Sequence, residues 1–189
     1  MKKIGITGLI SSGKSSVAKL LSKKVYPIFD ADKEVQNIYK NKKFLKKLKF
    51  SFNLSCKHSQ LKNEIKKLIK QKKIKFKKLE KLIHPMVRLQ MKKFVNRNRK
   101  KKILIFEIPL LIESKLMRHF DIIILVSSPK KTRMQRYLRR GGSKFLFNYL
   151  NSRQISENKK RKFCQHVIKN NRSLNVLKIS VSNIINNYE

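Results

Sequence analysis

Eight consecutive residues, Gly8-Leu9-Ile10-Ser11-Ser12-Gly13-Lys14-Ser15, have the form G-x-x-x-x-G-K-S. Glycine takes backbone angles that other residues resist, so such a loop can close around an anion with its N–H groups turned inward. A helix starting at the end of the loop adds roughly half a positive charge at its N-terminus. At this spacing the lysine reaches the β- and γ-phosphates of a nucleoside triphosphate, and the serine hydroxyl reaches the accompanying Mg2+. Gly8, Ser11, Ser12, Gly13, Lys14, Ser15 and Ser16 are therefore the expected phosphate contacts, with Ser15 also the metal contact. The bland alternative is a strand-to-helix turn that binds nothing. The flanks argue against it: Ile4-Gly5-Ile6-Thr7 reads as a strand, and Ser15 to Leu21 reads as a helix.

Acidic residues are scarce, 10 against 49 lysines and arginines, so their positions carry information. Asp32 closes Asp30-Ala31-Asp32 just after an apolar run. A carboxylate there can accept the proton of a hydroxyl attacking a phosphoryl group. Its other reading is a helix N-cap, a role that Asp30 fits better. Glu107 ends a second run and could orient Mg2+ or one of its waters, or anchor the neighbouring loop. Glu113 and Asp121 are further, weaker candidates. Arg136 and Arg140 stand four apart, which places them on one helix face. An arginine there can neutralise charge developing on a phosphoryl group in transfer, and Arg140, beside Gly141-Gly142, is favoured. The other reading is a solvated basic face. In His84-Pro85-Met86-Val87-Arg88, His84 is either a buried hydrogen-bonded histidine or a substrate contact, and Arg88 could bind a substrate phosphate.

These residues need elements to hold them. Short apolar runs bounded by turn residues fall at 3–7, 26–29, 103–106, 122–126 and 166–168, separated by helical patterns. That alternation predicts an α/β fold with a parallel five-stranded sheet, whose functional groups gather at the carboxyl ends of the strands. Residues 33–90 are basic and helical in pattern, too long for a simple crossover, and read as a substrate-binding insertion. Residues 130–163 are a second basic helical stretch, a lid hinged at Gly141-Gly142, and a last helix spans 174–188. The core is then about 1–32, 91–129 and 164–189, all in a single domain.

The net charge of +39 has two accounts. One is an electrostatic footprint for nucleic acid or an acidic membrane. The other is compositional drift in a chain rich in lysine, asparagine and isoleucine. The lysines are scattered and no RNA-recognition or zinc-finger signature accompanies them, which favours drift and no specific nucleic-acid partner. Cys56 and Cys164 lie in no metal or redox spacing, as expected of free thiols in a reducing cytosol. His58, His84, His119 and His166 form no ligand cluster. No stretch resembles a secretory signal or approaches the ~20 apolar residues of a membrane span, so a cytoplasmic monomer is expected.

Ile4 to Ser15, Asp30-Ala31-Asp32, Ile83 to Arg88 and Pro109-Leu110-Leu111-Ile112-Glu113, in this order, resemble the dephospho-coenzyme A kinase family. Gln154, the lid arginines and Val167-Ile168-Lys169-Asn170 are similar to the family as well, so the likeness spans nearly the whole chain. The resemblance implies a three-layer α/β/α phosphate-loop NTPase fold and Mg2+-assisted transfer from ATP to the ribose 3′-hydroxyl of dephospho-coenzyme A. It implies Asp32 as base, Lys14, Ser15 and Asn170 at the nucleotide, Arg140 as lid arginine, and His84, Arg88 and Glu113 toward the acceptor. The chain departs from the family pattern at Leu9 and Ser11, where glycine is usual, at Glu107, often Asp, and at Cys164-Gln165, usually Ala-Asp. Two alternatives remain open: a phosphate-loop kinase for a nucleoside or nucleoside monophosphate, and a non-catalytic basic nucleic-acid-binding protein.

Overall fold

The structure, a computed structural model, describes residues 1–23, 25–57, 59–70 and 76–188; His58 lies outside the described residues. The chain divides into two compact units, residues 1–30 with 98–189, and residues 31–97.

The first unit is built on the expected sheet. Its strands are β1 (Lys2–Thr7), β2 (Ile28–Asp30), β3 (Ile103–Glu107), β4 (Ile122–Ser127) and β5 (His166–Lys169), all parallel, in the order β2-β3-β1-β4-β5. Side chains alternate between the two faces of a strand. Ile4, Ile6, Ile103, Ile105, Ile122 and Ile124 fill one face, where α1 (Lys14–Ser22) and α9 (Leu174–Asn186) lay Val17, Leu21, Leu177 and Val181. On the other face stand Gly5 and Phe106. A Cβ at Gly5 would come within 2.7 Å of Leu111 and 3.0 Å of Phe120, so the segment after β3 packs directly on the bare backbone. Phe106 meets Phe120 edge-on at 5.2 Å.

β2 begins two residues later than the apolar run at 26–29. Ser22, at the end of α1, accepts from Tyr26 N–H at 2.9 Å through its carbonyl and donates to Tyr26 O at 2.7 Å through its hydroxyl. Tyr26 therefore belongs to the turn closing α1, and Pro27 follows without an N–H.

After β4 the chain forms α6 (Lys130–Arg139), α7 (Lys144–Ser152) and α8 (Glu157–Arg161). Gly141, at φ 80°, makes the left-handed break between α6 and α7. Ser143 and Ser156 then cap α7 and α8 through their hydroxyls.

The second unit is helical: α2 (Ala31–Ile38), α3 (Lys42–Phe52), α4 (Leu61–Lys70) and α5 (Phe76–Arg97). Ile38, Phe44, Leu45, Leu48, Leu61 and Leu79 form its core, with Leu82, Ile83, Met86 and Val87 of α5 packed against them. Lysines at 42, 43, 46 and 47 take the exposed face of α3. α5 runs through Pro85, which removes one helical N–H. The carbonyl left without that donor is on Lys81, an exposed position open to water.

Candidate active site

Parity in the sheet brings the first candidates together. Glu107 follows Ile103 and Ile105 on the face that meets α1, at the carboxyl end of β3. There Ser15, in the first turn of α1, donates its hydroxyl to Glu107 Oε1 at 2.7 Å. Asp30 pairs in register with Glu107 across β2 and β3, so two carboxylate residues end neighbouring strands. Among the described residues no group of three or more His, Cys, Asp or Glu could cage a metal. A hydroxyl and a carboxylate are hard oxygen donors. They suit Mg2+, which keeps several waters and takes most other ligands from substrate phosphates. The residues present therefore fit the ion.

The phosphate loop sits between β1 and α1, where the strand order turns outward on both sides of β1. Gly8 has φ 153°, and a Cβ there would lie 2.4 Å from Val126 O. Gly13 caps α1 with φ 96°, and its Cβ would fall 1.9 Å from Asn170 Nδ2. The first turn of α1 carries no acidic residue, so its positive end has no intrahelical carboxylate. Lys14 is buried with its Nζ donating to Gly8 O at 3.2 Å and Leu9 O at 3.1 Å. Ser12 Oγ is buried without a hydrogen-bond partner. An orphaned hydroxyl within a curled, helix-capping loop fits an oxyanion. Of the two residues standing where glycine is usual, Ser11 takes the left-handed region at φ 57° and Leu9 does not.

Asn170, just past β5, braces the loop. Its Nδ2 donates to Ser12 O at 2.8 Å and its N–H to Ser127 O at 2.8 Å. Arg136 reaches the same place. Its Nη2 donates to Asn170 O at 3.1 Å, and its Nη1 lies 3.4 Å from both Ser12 O and Ser128 Oγ. Burial lowers the Arg136 pKa first, and the neighbouring Arg140 lowers it further. α6 ends at Arg139, so Arg140 is its C-cap, exposed, with φ −93°. Of the pair grouped by spacing, Arg136 is bonded to the loop, one turn before the residue that the glycine pair singles out.

Glu113, expected toward the acceptor, is engaged within the protein. Lys160, fully buried, lies 2.8 Å from its Oε1 and 2.9 Å from its Oε2. Oε1 also accepts from Ile155 N–H at 3.1 Å. Burial lowers the Lys160 pKa, and the bond to Glu113 opposes that shift. Gln165 likewise works within the sheet, its side-chain oxygen accepting from Ile123 N–H at 2.7 Å. Asp121 accepts from Lys3 N–H at 2.7 Å. Cys164 is half-buried, and desolvation pushes its thiol up to about 11.

Asp32, His84 and Arg88 belong to the second unit. Asp30 is the last residue of β2, and Asp32 is exposed in the first turn of α2. Glu80, His84 and Arg88 follow at four-residue spacing on α5. Burial lowers the His84 pKa, Glu80 raises it, and Arg88 lowers it.

Sequence reasoning missed Arg133 and Lys160. Arg133 is 4% exposed: its Nε donates to Ser128 O at 3.0 Å and its Nη1 to Asn151 Oδ1 at 2.8 Å, over the Phe147 ring. The available signal was the i, i+3 spacing to Arg136 on one turn of α6.

The family model described as dephospho-CoA kinase matches residues 2–175. A dephospho-CoA kinase of Bartonella henselae is 32% identical over 178 residues, covering 92% of this chain and 91% of its own length. A dephospho-CoA kinase of Zymomonas mobilis is 32% identical over 184 residues, covering 96% and 93%. The crystal structure of TT1252 from Thermus thermophilus superposes with a TM-score of 0.85 at 30% identity, covering 100% of this chain and 98% of that one.

Proposed function

The chain belongs to the dephospho-CoA kinase family, and from that premise we propose how its own residues divide the transfer from ATP. The γ-phosphoryl group moves to the ribose 3′-hydroxyl of dephospho-coenzyme A. A new O–P bond forms, the bond to the β-phosphate oxygen breaks, ADP leaves, and the hydroxyl proton goes to a base. Asp32, exposed at the start of α2, takes that proton. Lys14 leaves its loop carbonyls for the phosphates, and the backbone from Gly8 to Ser16 holds them, with Asn170 behind the loop. Mg2+, when bound at Ser15 and Glu107, neutralises charge on the β- and γ-phosphates. Arg136 and Arg140 supply further positive charge from the lid, residues 130–163. His84 and Arg88 belong to the acceptor side, in the helical region 33–90, and Glu113 acts at a distance by anchoring α8.

The observation that carries this reading is the 2.7 Å bond from Ser15 Oγ to Glu107 Oε1 beside the buried Lys14. It gathers a cation, a hydroxyl and a carboxylate at the mouth of one anion-binding loop. Among the described residues no helix is long and apolar enough to cross a membrane, and we read the enzyme as a cytoplasmic monomer.

The test is ADP release from Mg·ATP with dephospho-coenzyme A, with adenosine and AMP as control acceptors and coenzyme A identified by mass. Lys14→Ala should cut turnover by about 10²–10³-fold, the worth of one preorganised donor. Asp32→Asn should keep ATP affinity while losing turnover. Wild-type turnover in Asp32→Asn removes the base assignment, and preference for a control acceptor removes the acceptor assignment.

A further inference from the structure

The tip of the phosphate loop is built against the preference of its own residues. Ser12 N–H donates to Leu9 O at 3.2 Å, closing a four-residue turn with Ile10 and Ser11 at its centre. Ser11 has φ 57°, and Ile10 is not among the residues with positive φ. Those φ signs match the type II turn, whose third residue is ordinarily glycine. A side chain there meets the steric cost of the left-handed region. The relaxed alternative flips the peptide between Ile10 and Ser11, giving a type I turn and carrying Ser11 N–H to the opposite side.

Two side chains from the segments after β4 hold Ile10 on either side: one anchors the peptide before it, and the other opposes the flip directly. Ile10 N–H donates to Gln154 Oε1 at 2.7 Å. Ile10 O, one end of the peptide that would turn over, lies 3.4 Å from Arg133 Nη1. Arg133 cannot follow a moving loop, because Ser128 O and Asn151 Oδ1 fix its guanidinium.

We infer that Gln154 and Arg133 are positioning residues that clamp Ile10 and hold Ser11 in the left-handed turn needed for ATP phosphates. The clamp lets serine stand where glycine is ordinary, and it rests on the kinase reading above. It also makes the loop's shape depend on the lid, since Gln154 follows α7 and Arg133 lies in α6.

The test is a cycle of Gln154→Leu, Ser11→Gly and the double variant. Mg·ATP affinity is read by calorimetry, and kcat and KM by coenzyme A formation. Gln154→Leu should weaken ATP by about threefold to tenfold, the worth of one net hydrogen bond, with the loss in KM and kcat nearly kept. In the Ser11→Gly background the same substitution should change affinity by less than about twofold, because glycine needs no clamp. Equal losses in both backgrounds, or no loss with serine present, overturn the inference. If leucine is not tolerated, Gln154→Asn, which withdraws the acceptor by one methylene, completes the same cycle. A wild type that binds ATP but makes no coenzyme A sinks the kinase reading and leaves the affinity cycle intact.

Discussion

Replacing Lys160 by methionine should be among the most destabilising single changes outside the loop. The Lys160 side chain is 0% exposed and that of Glu113 is 16% exposed, with the charged atoms 2.8 Å apart. At an effective dielectric of about 20, two unit charges at that distance attract by about 6 kcal/mol. Desolvation opposes this attraction: burial lowers the Lys160 pKa and outweighs the bond to Glu113. Lys160→Met removes the attraction and leaves the Glu113 carboxylate with Ile155 N–H at 3.1 Å. Breaking one side of a buried pair costs about 3–5 kcal/mol. For a chain of this size that lowers Tm by about 6–20 °C. Glu113→Gln keeps an acceptor for Ile155 and removes the orphaned charge, so the double variant should recover at least about 2 kcal/mol over Lys160→Met. Urea unfolding at pH 7, followed by far-UV circular dichroism, measures all four proteins. A single-variant loss under about 1 kcal/mol, typical of an exposed pair, would refute the reasoning, and so would strict additivity.

Two further outcomes follow from described geometry. Gly13→Ala forces a side chain into φ 96° and against Asn170 Nδ2; it should cost more than about 1 kcal/mol and weaken Mg·ATP at least tenfold, measured by thermal unfolding and calorimetry. Burial lowers the His84 pKa, so the unfolded chain takes up that proton first; stability therefore rises with pH from the folded-state midpoint up to about 6.5 and falls on acidification below it. A proton NMR titration should place the His84 midpoint below about 6.5, and a midpoint at or above that value contradicts the burial.

The sheet was legible because each strand is an apolar run ended by turn residues, and the loop was legible because its spacing is tied to one chemistry. Glu107 could be named, since a carboxylate at a strand's end is rare in a chain with 10 acidic residues. Its bond to Ser15 depends on which face residue 107 takes, and strand parity supplies that. Arg136 was harder. Helical spacing groups it with Arg140, and its bond to the loop depends on how α6 packs there, which spacing does not give. Lys160 and Arg133 carried no compositional mark among 49 basic residues. A buried cation is set by tertiary contacts, here a carboxylate 47 residues away and a loop carbonyl 123 residues away.

The strand order has a consequence for synthesis. β1 is the centre of the sheet, and both its partners lie beyond residue 102: β3 at Ile103–Glu107 and β4 at Ile122–Ser127. A ribosome adding about 5–20 residues per second makes the first strand some 5–20 s before anything can pair with it. Through that interval Ile4 and Ile6, with the loop behind them, travel as an open edge. Lys2 and Lys3 stand at its head, and charged flanks of this kind keep an apolar strand from joining a neighbouring chain. The phosphate loop is made long before it is complete, since Asn170, which braces Ser12, follows 158 residues later.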